Sequence, residues 1–278
     1  MGERGARRRA LGQHFLVDRG VAERTVALAG LAPGTRVLEI GPGRGALTDA
    51  LLAAGLDVTA VEIDPELAAR LAARGDPRLT VIEGDFLRLD LACLPAAPLP
   101  VVANLPYSTG TAIVARLLES PERFPRLVVM LQKEVADRLC AQPGSHAYGS
   151  TTVLTALHAR AERAFVVPPG AFAPPPRVDS AVVRLSVEAT PRADVGDPAL
   201  FRRVVRGAFA QRRKTLRNAL RAAFGEKRAR AWLDRAGIDG GRRAETLSLA
   251  EFAGLARTAG ADASPDAAAG AASAAPAR

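Results

Sequence analysis

The 278-residue sequence is poor in several residue types, and each scarcity excludes a class of protein. It has two cysteines, Cys93 and Cys140, and three histidines, none of which stand at metal-ligand spacing. We therefore expect reduced, buried cysteines and no metal site. No apolar run approaches the length of a membrane span, and the first ten residues lack the apolar stretch of a signal peptide. The sequence therefore predicts a cytoplasmic protein that does not bind membranes.

Acidic residues are almost absent from one long segment. Residues 201–230 contain eleven basic residues and the single acid Glu226, whereas the net charge of the whole chain is only +9. A block of one sign repels itself and is typical of a surface that binds a polyanion, although a solvated helix face is the alternative. We expect nucleic acid to bind here through Arg206, Arg212, Arg213, Lys214 and Arg217. Arginines 7–9 form a second, shorter basic arm.

The first two-thirds of the chain alternate apolar, β-branched runs with helical segments, a pattern typical of a parallel sheet flanked by helices. The predicted strands are 36–40, 57–62, 79–83, 99–103, 126–131, 161–167 and 180–187. The predicted helices are 21–30, 46–54, 65–74, 111–120 and 133–140, with Asp64 as the cap and Pro65 in the first turn of the third. The fold class is therefore α/β.

The strand pattern stops near residues 189–196, where polar sequence containing proline and glycine intervenes. Four helices are predicted beyond it, at 198–209, 214–224, 226–236 and 248–258. From residue 259 the composition is nearly all Ala, Gly, Ser, Asp and Pro, which predicts a disordered tail. We therefore divide the chain into an α/β domain (1–188), a smaller all-helical domain (189–258) and a tail (259–278).

A glycine-rich turn follows the first predicted strand, in the sequence E-I-G-P-G-R-G-A (residues 39–46). Glycines such as Gly41 and Gly43 let the backbone approach a ligand closely. An acid about 20 residues later, Glu62, is suited to a ribose, so the pattern fits a nicotinamide dinucleotide or S-adenosylmethionine. Three further candidates are Ile63 to pack on an adenine, and Asp85 with Phe86 after the third strand. For Glu62 and Asp85 the alternative role is helix capping.

The tetrapeptide N-L-P-Y (residues 104–107) follows the fourth predicted strand and supplies what methylation of an aromatic amine requires. The lone pair of such a nitrogen is delocalised into its ring. The Asn104 side-chain oxygen and the Leu105 carbonyl can each accept one N–H and aim the lone pair at a methyl donor. Tyr107 offers a ring on which a base can stack. The same residues also make an ordinary turn, but a nicotinamide enzyme has no need of an amine-binding pair here.

Several motifs in a fixed order resemble the ribosomal RNA adenine dimethyltransferase family. They include G-Q-H-F-L (12–16), E-I-G-P-G (39–43), V-E-I-D (61–64), G-D-F-L (84–87), N-L-P-Y (104–107), L-Q-K-E-V-A (131–136), F-A-P-P-P-R-V-D-S (172–180) and F-A-Q-R-R-K-T-L (209–216). The resemblance covers about residues 10 to 255. Q-K-E-V-A and R-R-K-T-L resemble the housekeeping small-subunit enzymes rather than the macrolide-resistance methylases.

The resemblance implies a class I (Rossmann-like) methyltransferase fold with S-adenosylmethionine as methyl donor. The reaction it implies is dimethylation at N6 of two adjacent adenosines near the 3′ end of small-subunit rRNA. The family's cofactor contacts carry over to His14, Leu16, Gly41, Glu62, Asp85 and Asn104. The other residues expected to bind the cofactor are Gln13, Gly43, Ile63 and Phe86. The base-stacking rings carry over to Tyr107 and Phe172. His14 departs from the asparagine frequent in the family, and S-T-G (108–110) departs from the more usual N-I-S.

The expected partner is small-subunit rRNA or a pre-30S particle, bound by a monomer. Three alternatives remain open at the level of the sequence. The first is a macrolide-resistance methylase that acts on large-subunit RNA. The second is an RNA-binding assembly factor whose catalytic site is incidental. The third is a DNA adenine methyltransferase, although nothing in the helical segment is typical of base-specific duplex reading.

Overall fold

A computed structural model describes residues 14–263. The chain divides into two compact units, the first formed by residues up to 140 together with His158–Thr190, the second by Ala141–Leu157 together with the residues from 191 on. The sequence-based division at residue 188 assigned 141–157 to the first domain, and the structure differs there. Tyr148, Val153 and Leu157 bury their side chains in one apolar cluster with residues of the helical unit. This burial attaches the segment to the second unit.

In the first unit, strands and helices alternate. The strands are β1 (Phe15–Leu16), β2 (Arg36–Ile40), β3 (Asp57–Glu62), β4 (Leu79–Glu83), β5 (Val101–Asn104), β6 (Arg126–Gln132), β7 (Ala159–Val167), β8 (Phe172–Ala173) and β9 (Ser180–Val187). The helices are α1 (Arg19–Ala29), α2 (Ala46–Ala53), α3 (Pro65–Ala72), α4 (Gly110–Leu117) and α5 (Lys133–Leu139). Every strand and helix predicted for this unit is present, whereas the two-residue strands β1 and β8 were missed.

Seven strands form one sheet in the order β4-β3-β2-β5-β6-β9-β7. The pairs from β4 to β6 are parallel, but β9 runs antiparallel to both β6 and β7, so the expectation of a purely parallel sheet is wrong at this edge. Alternate residues enter different apolar clusters: Val101 and Ala103 of β5 join one, and Val102 joins another. Because successive side chains of a strand point to opposite faces, the sheet is buried on both sides.

The second unit consists of α6 (Ser150–Ala156), which was not predicted, and α7 (Pro198–Phe209), α8 (Leu216–Phe224), α9 (Glu226–Ala236) and α10 (Leu249–Ala263). Each of α7 and α8 buries one apolar side, with Phe201, Leu216 and Leu220 fully enclosed. Helix α10 continues to Ala263, so the predicted tail begins too early; residues 264–278 lie outside the described part.

Among residues 14–263, no helix combines the length and apolar composition that a bilayer crossing requires. Both cysteines are free thiols. Cys140 is half-buried, whereas Cys93 is exposed, so the expectation that both are buried is wrong. Cys93 closes a short 3₁₀ turn, Leu91–Cys93, whose side chains all stay at least partly accessible.

Candidate functional site

The candidate site lies where the order of the parallel strands reverses. From β2 the chain proceeds outward through β3 and β4, and then returns to place β5 on the other side of β2. Ligands of such sheets bind at the carboxyl ends of the strands beside this reversal. One cavity there is bordered by both the glycine turn after β2 and the N-L-P-Y turn after β5. The predicted site residues that line it are His14, Leu16, Gly41, Gly43, Glu62, Ile63, Asp85, Phe86, Asn104, Leu105 and Tyr107.

The glycine turn depends on the absence of side chains. Gly41 and Gly43 have φ values of 70° and 59°, in the left-handed region that disfavours other residues. A Cβ on Gly43 would lie 2.9 Å from the Phe15 ring. The guanidinium of Arg44 lies over the same ring, 4.6 Å from its centroid. Gly43 therefore allows the segment containing β1 to close against the turn, at one wall of the cavity.

Glu62 joins the glycine turn to the end of β3. Its side chain is 2% exposed, and its carboxylate oxygens accept hydrogen bonds from the backbone N–H groups of Gly43 and Asp64, each at 2.9 Å. Burial raises the pKa of this carboxyl, and the two backbone donors oppose that rise. Asp64, not Glu62, caps α3, because its Oδ1 accepts from the N–H groups of Glu66 and Leu67. The helix-capping alternative for Glu62 is therefore excluded, and the prediction of Asp64 as the cap is confirmed.

Ile63 and Asp85 place an apolar surface and a carboxylate in the same cavity. Ile63 is 46% exposed, which makes it one of the few large apolar side chains left open to solvent. Asp85 Oδ1 accepts from the Leu87 N–H at 2.9 Å, while Oδ2 lies 3.7 Å from Nε of the exposed Arg88. Oδ1 of Asp85 therefore stabilises a turn rather than capping a helix, and Asp85 lines the cavity.

The N-L-P-Y turn brings its polar groups to the cavity. Leu105 is 1% exposed, and its N–H donates to the Met130 carbonyl on β6 at 3.1 Å. The Pro106 carbonyl accepts from the Gly110 N–H at 2.8 Å and leads the chain into α4. Within the described residues, neither the Asn104 side chain nor the Leu105 carbonyl has a hydrogen-bond partner. Two acceptors therefore remain available at one wall.

Of the described residues predicted to bind the cofactor or the base, Phe172 does not line this cavity. Gln13 lies outside the described residues. Phe172 is only 3% exposed and packs in an apolar cluster with Leu16 and Val167. The cause is the pairing of β1 with β8, which sets Leu16 opposite Phe172 and draws the phenyl ring into the core. Phe172 is therefore a core residue in this structure, as its alternative role required.

Glu39 is a buried acid of the cavity wall that the sequence analysis did not single out. It is 1% exposed within β2, and Thr48 Oγ1 donates to its Oε2 at 2.7 Å. Burial raises the pKa of the Glu39 carboxyl to about 8; the hydrogen bond from Thr48 opposes this rise, and the nearby Glu62 carboxylate adds to it. Glu39 is therefore largely protonated at neutral pH. The motif E-I-G-P-G does not indicate from sequence alone that its glutamate is buried and protonated.

Glu39→Gln should change how stability depends on pH. Because the folded pKa is raised, the folded state binds the extra proton between pH 4.5 and 8, so this group's contribution to stability is lost as pH rises through that window. From pH 6 to pH 8 the variant should gain about 2 kcal/mol relative to the natural protein. Urea unfolding at both pH values measures the change. Glu119→Gln, at an exposed acid, is the control; parallel curves for Glu39→Gln and the natural protein would show that Glu39 is ionised when folded.

The predicted nucleic-acid residues lie together in the second unit. Arg206 is in α7, Arg217 is in α8, and Arg212, Arg213 and Lys214 are in the loop between these helices. All five are exposed. The Arg212 side chain donates to the His146 carbonyl at 2.6 Å, whereas the side chains of the other four form no hydrogen bond or ion pair within residues 14–263. Four cations are therefore uncompensated on one helix–loop–helix segment.

Comparisons with known proteins agree over nearly the whole chain. A family profile described as "Ribosomal RNA adenine dimethylase" matches residues 5–259. "Ribosomal RNA small subunit methyltransferase A" of Geobacter sulfurreducens is 50% identical over 257 residues, which cover 89% of this chain and 93% of that protein. The protein of the same name from Magnetococcus marinus is 50% identical over 252 residues, 89% of this chain and 90% of the relative.

Solved structures share the fold. The 23S rRNA methyltransferase ErmE is 31% identical with a TM-score of 0.66, over 88% of this chain and 99% of that one. A dimethyladenosine transferase from Plasmodium falciparum has a TM-score of 0.70 at 24% identity, over 87% of this chain and 96% of that one. The predicted class I methyltransferase fold is therefore confirmed. The chain belongs to the ribosomal RNA adenine dimethylase family, a family of methyltransferases that use S-adenosylmethionine.

Proposed function

We propose that this protein dimethylates N6 of two adjacent adenosines near the 3′ end of 16S rRNA, in the cytoplasm and as a step linked to small-subunit assembly. The observation that carries the proposal is the position of N-L-P-Y at the carboxyl end of β5, where Asn104 and Leu105 line the same cavity as the glycine turn. The 50% identity to proteins named for the small subunit supports this choice of RNA. We propose that the enzyme acts as a monomer on rRNA or on a pre-30S particle.

The residues of the cavity fit S-adenosylmethionine. Ile63 offers an exposed apolar face for an adenine, and the Asp85 carboxylate can accept from the adenine amine. Glu62 has two acceptor oxygens at the end of β3, where ribose hydroxyls need acceptors, and each oxygen still has a lone pair beyond its backbone bond. When bound, the cofactor supplies an electrophilic methyl group on a sulfonium. The turn around Gly41 and Gly43 lets the backbone come close to it.

The protein groups promote the reaction by position. The Asn104 oxygen and the Leu105 carbonyl each accept one N–H of the target amine, which holds the nitrogen lone pair out of conjugation with its ring. The Tyr107 ring supports the flipped base. The nitrogen becomes acidic only after it has gained the methyl group, so no strong general base is required. The buried and largely protonated Glu39 is consistent with this, because a neutral carboxyl is not a base.

Methyl mapping tests the proposed function. Small subunits and naked 16S and 23S rRNA from a strain that lacks the gene should be incubated with the protein and labelled S-adenosylmethionine, and the modified nucleosides identified by mass spectrometry. We expect dimethyladenosine at two adjacent positions near the 3′ end of 16S rRNA. Label confined to 23S rRNA would instead support the large-subunit alternative, which the likeness to ErmE keeps under test. Ribosome assembly should also be measured in the same strain when it expresses the active protein or an inactive variant. Assembly that the inactive variant restores would show a role separate from catalysis, and so would methyl transfer that leaves assembly unrestored.

Glu62→Ala should weaken S-adenosylmethionine binding by about 1–3 kcal/mol, because ribose hydroxyls would lose their acceptor. Calorimetry measures the affinity. Glu62 also accepts a hydrogen bond from the Gly43 N–H, so the alanine variant removes two functions at once. Glu62→Gln is the companion variant, because its side chain has the same length and keeps one acceptor oxygen. It should lose less cofactor affinity than the alanine variant. Unchanged affinity in a folded Glu62→Ala protein would show that the carboxylate only joins the two loops.

A further inference from the structure

The Tyr107 hydroxyl is held by a buried serine. Tyr107 Oη lies 2.5 Å from Ser180 Oγ, and Ser180 is fully buried. Ser180 is the first residue of β9 and is paired with Gln132 on one side and Val167 on the other. Its backbone is thereby fixed between two strands. Burial raises the pKa of Tyr107, while the bond to Ser180 opposes that rise. A neutral phenol is thus held at one end by a residue that cannot move independently of the sheet.

The same ring is in contact with a histidine. The His14 and Tyr107 ring centroids lie 5.3 Å apart with an interplanar angle of 35°. This separation is that of an aromatic pair in direct contact, so no base fits between the two rings. His14 Nδ1 lies 2.8 Å from the Pro174 carbonyl; because a carbonyl only accepts, Nδ1 carries the proton. His14 therefore supports one side of Tyr107.

Both contacts lead back to one segment of the chain. Residues 172–180 contain β8, which pairs with β1 directly after His14, and end at Ser180. Phe15 is opposite Ala173 in this pairing. The β1–β8 pair thus fixes the imidazole, and the start of β9 fixes the hydroxyl. Tyr107 itself lies at the end of β5, on a different part of the chain, and is constrained from two directions by this segment.

We propose that Ser180 and His14 are positioning residues that hold the Tyr107 ring in a single orientation as the platform for the target adenine. The proposal rests on the proposed function. A ring that is already fixed loses little conformational freedom when a base stacks on it, so more of the stacking energy contributes to placing the amine at the two acceptors.

A double-mutant cycle tests the role of Ser180. Ser180→Ala, Tyr107→Phe and the double variant are compared for kcat and KM on small subunits that lack the methylation. Each single variant should lower kcat by roughly 5-fold with S-adenosylmethionine affinity unchanged, and the double variant should be no slower than either single variant, because one hydrogen bond is lost in all three. Ser186→Ala, an exposed serine on the same strand, is the matched control and should keep the natural rate.

The outcomes of the cycle are distinct. Additive effects on kcat would overturn the role of Ser180 in catalysis, and so would coupling in the free energy of unfolding with no coupling in kcat, since the bond would then be structural only. If the natural protein methylates no adenosine, it is the proposed function that fails. For His14, His14→Ala should lower kcat while calorimetry shows unchanged cofactor affinity. A loss of cofactor affinity with kcat preserved would overturn the role of His14 in holding Tyr107.

Discussion

Asn104→Ala is expected to slow methyl transfer by about 10²-fold or more, the cost of losing one positioned acceptor at a reacting centre. The Asn104 side chain borders the cavity and forms no hydrogen bond within the described part of the chain, so its oxygen is available to the amine. Its backbone is fixed by strand pairing with Met130. The substitution therefore removes an acceptor without releasing the turn. Single-turnover kinetics with unmethylated small subunits measure the effect on the chemical step.

Asn104→Asp separates the acceptor from the rest of the side chain. Aspartate has the same shape and keeps an oxygen where the amide oxygen was, so this variant should retain more activity than the alanine variant. RNA affinity should hardly change in either protein, because we expect the base to be held by stacking on Tyr107 and the RNA by cations of the second unit. A near-normal single-turnover rate for Asn104→Ala would remove Asn104 from the mechanism and leave the Leu105 carbonyl as the acceptor that matters.

The local structure of the first unit could be predicted where the pattern is local. The strands 36–40, 57–62, 79–83 and 180–187 match β2, β3, β4 and β9 at both ends. For β2, β3 and β4, a short apolar run followed by a glycine or a helix cap marks the end of the strand. The direction of β9 could not be predicted in this way. An apolar run buried on both faces looks the same in a parallel and an antiparallel sheet.

The composition of the site was predictable from motifs, and its internal contacts were not. The residues around Gly41, Glu62, Asp85 and Asn104 each follow a parallel strand, and the carboxyl ends of such strands meet at one edge. The bond from Tyr107 to Ser180 joins residues 73 apart, and His14 reaches a carbonyl 160 residues away. Neither contact has a periodic or local signature.

Two departures follow from burial. Phe172 was assigned to base stacking by resemblance, but pairing between β1 and β8 gives the ring enough apolar partners to place it in the core. Residues 141–157 were assigned to the α/β domain by position in the sequence. Their buried side chains instead complete the helical cluster. In both cases the position of the residues is determined by the apolar area that they bury against segments far away in the sequence. A local sequence pattern does not indicate such burial.

Replacing Arg206, Arg213, Lys214 and Arg217 together by glutamine is expected to weaken binding to small-subunit rRNA and to flatten its dependence on salt. These side chains are exposed and unpaired within the described residues, so in the free protein their charges are neutralised only by solvent ions. Phosphates that replace those ions release counterions, and each contact contributes about 0.7–0.9 to the slope of log K against log salt. If all four meet phosphate, the slope should fall by about 3 units. Arg212 is left intact because it holds the His146 carbonyl.

The matched control removes the same charge from the first unit, by glutamine at the exposed Arg19, Arg36, Arg70 and Arg160. Net charge is then equal in the two variants. The two sets differ in position and in the ion pairs of Arg19 with Glu23 and of Arg160 with Glu188. Binding should be measured between about 50 and 200 mM salt, the range in which phosphate contacts change affinity most visibly. Cofactor affinity should stay the same in both, because neither set lines the cavity.

Parallel slopes for the natural protein and the second-unit variant would show that this segment is a solvated face. A slope reduced equally in the two variants would mean that net charge, rather than a defined surface of α7 and α8, attracts the RNA. A slope reduced only in the second-unit variant assigns RNA binding to those helices and the loop between them.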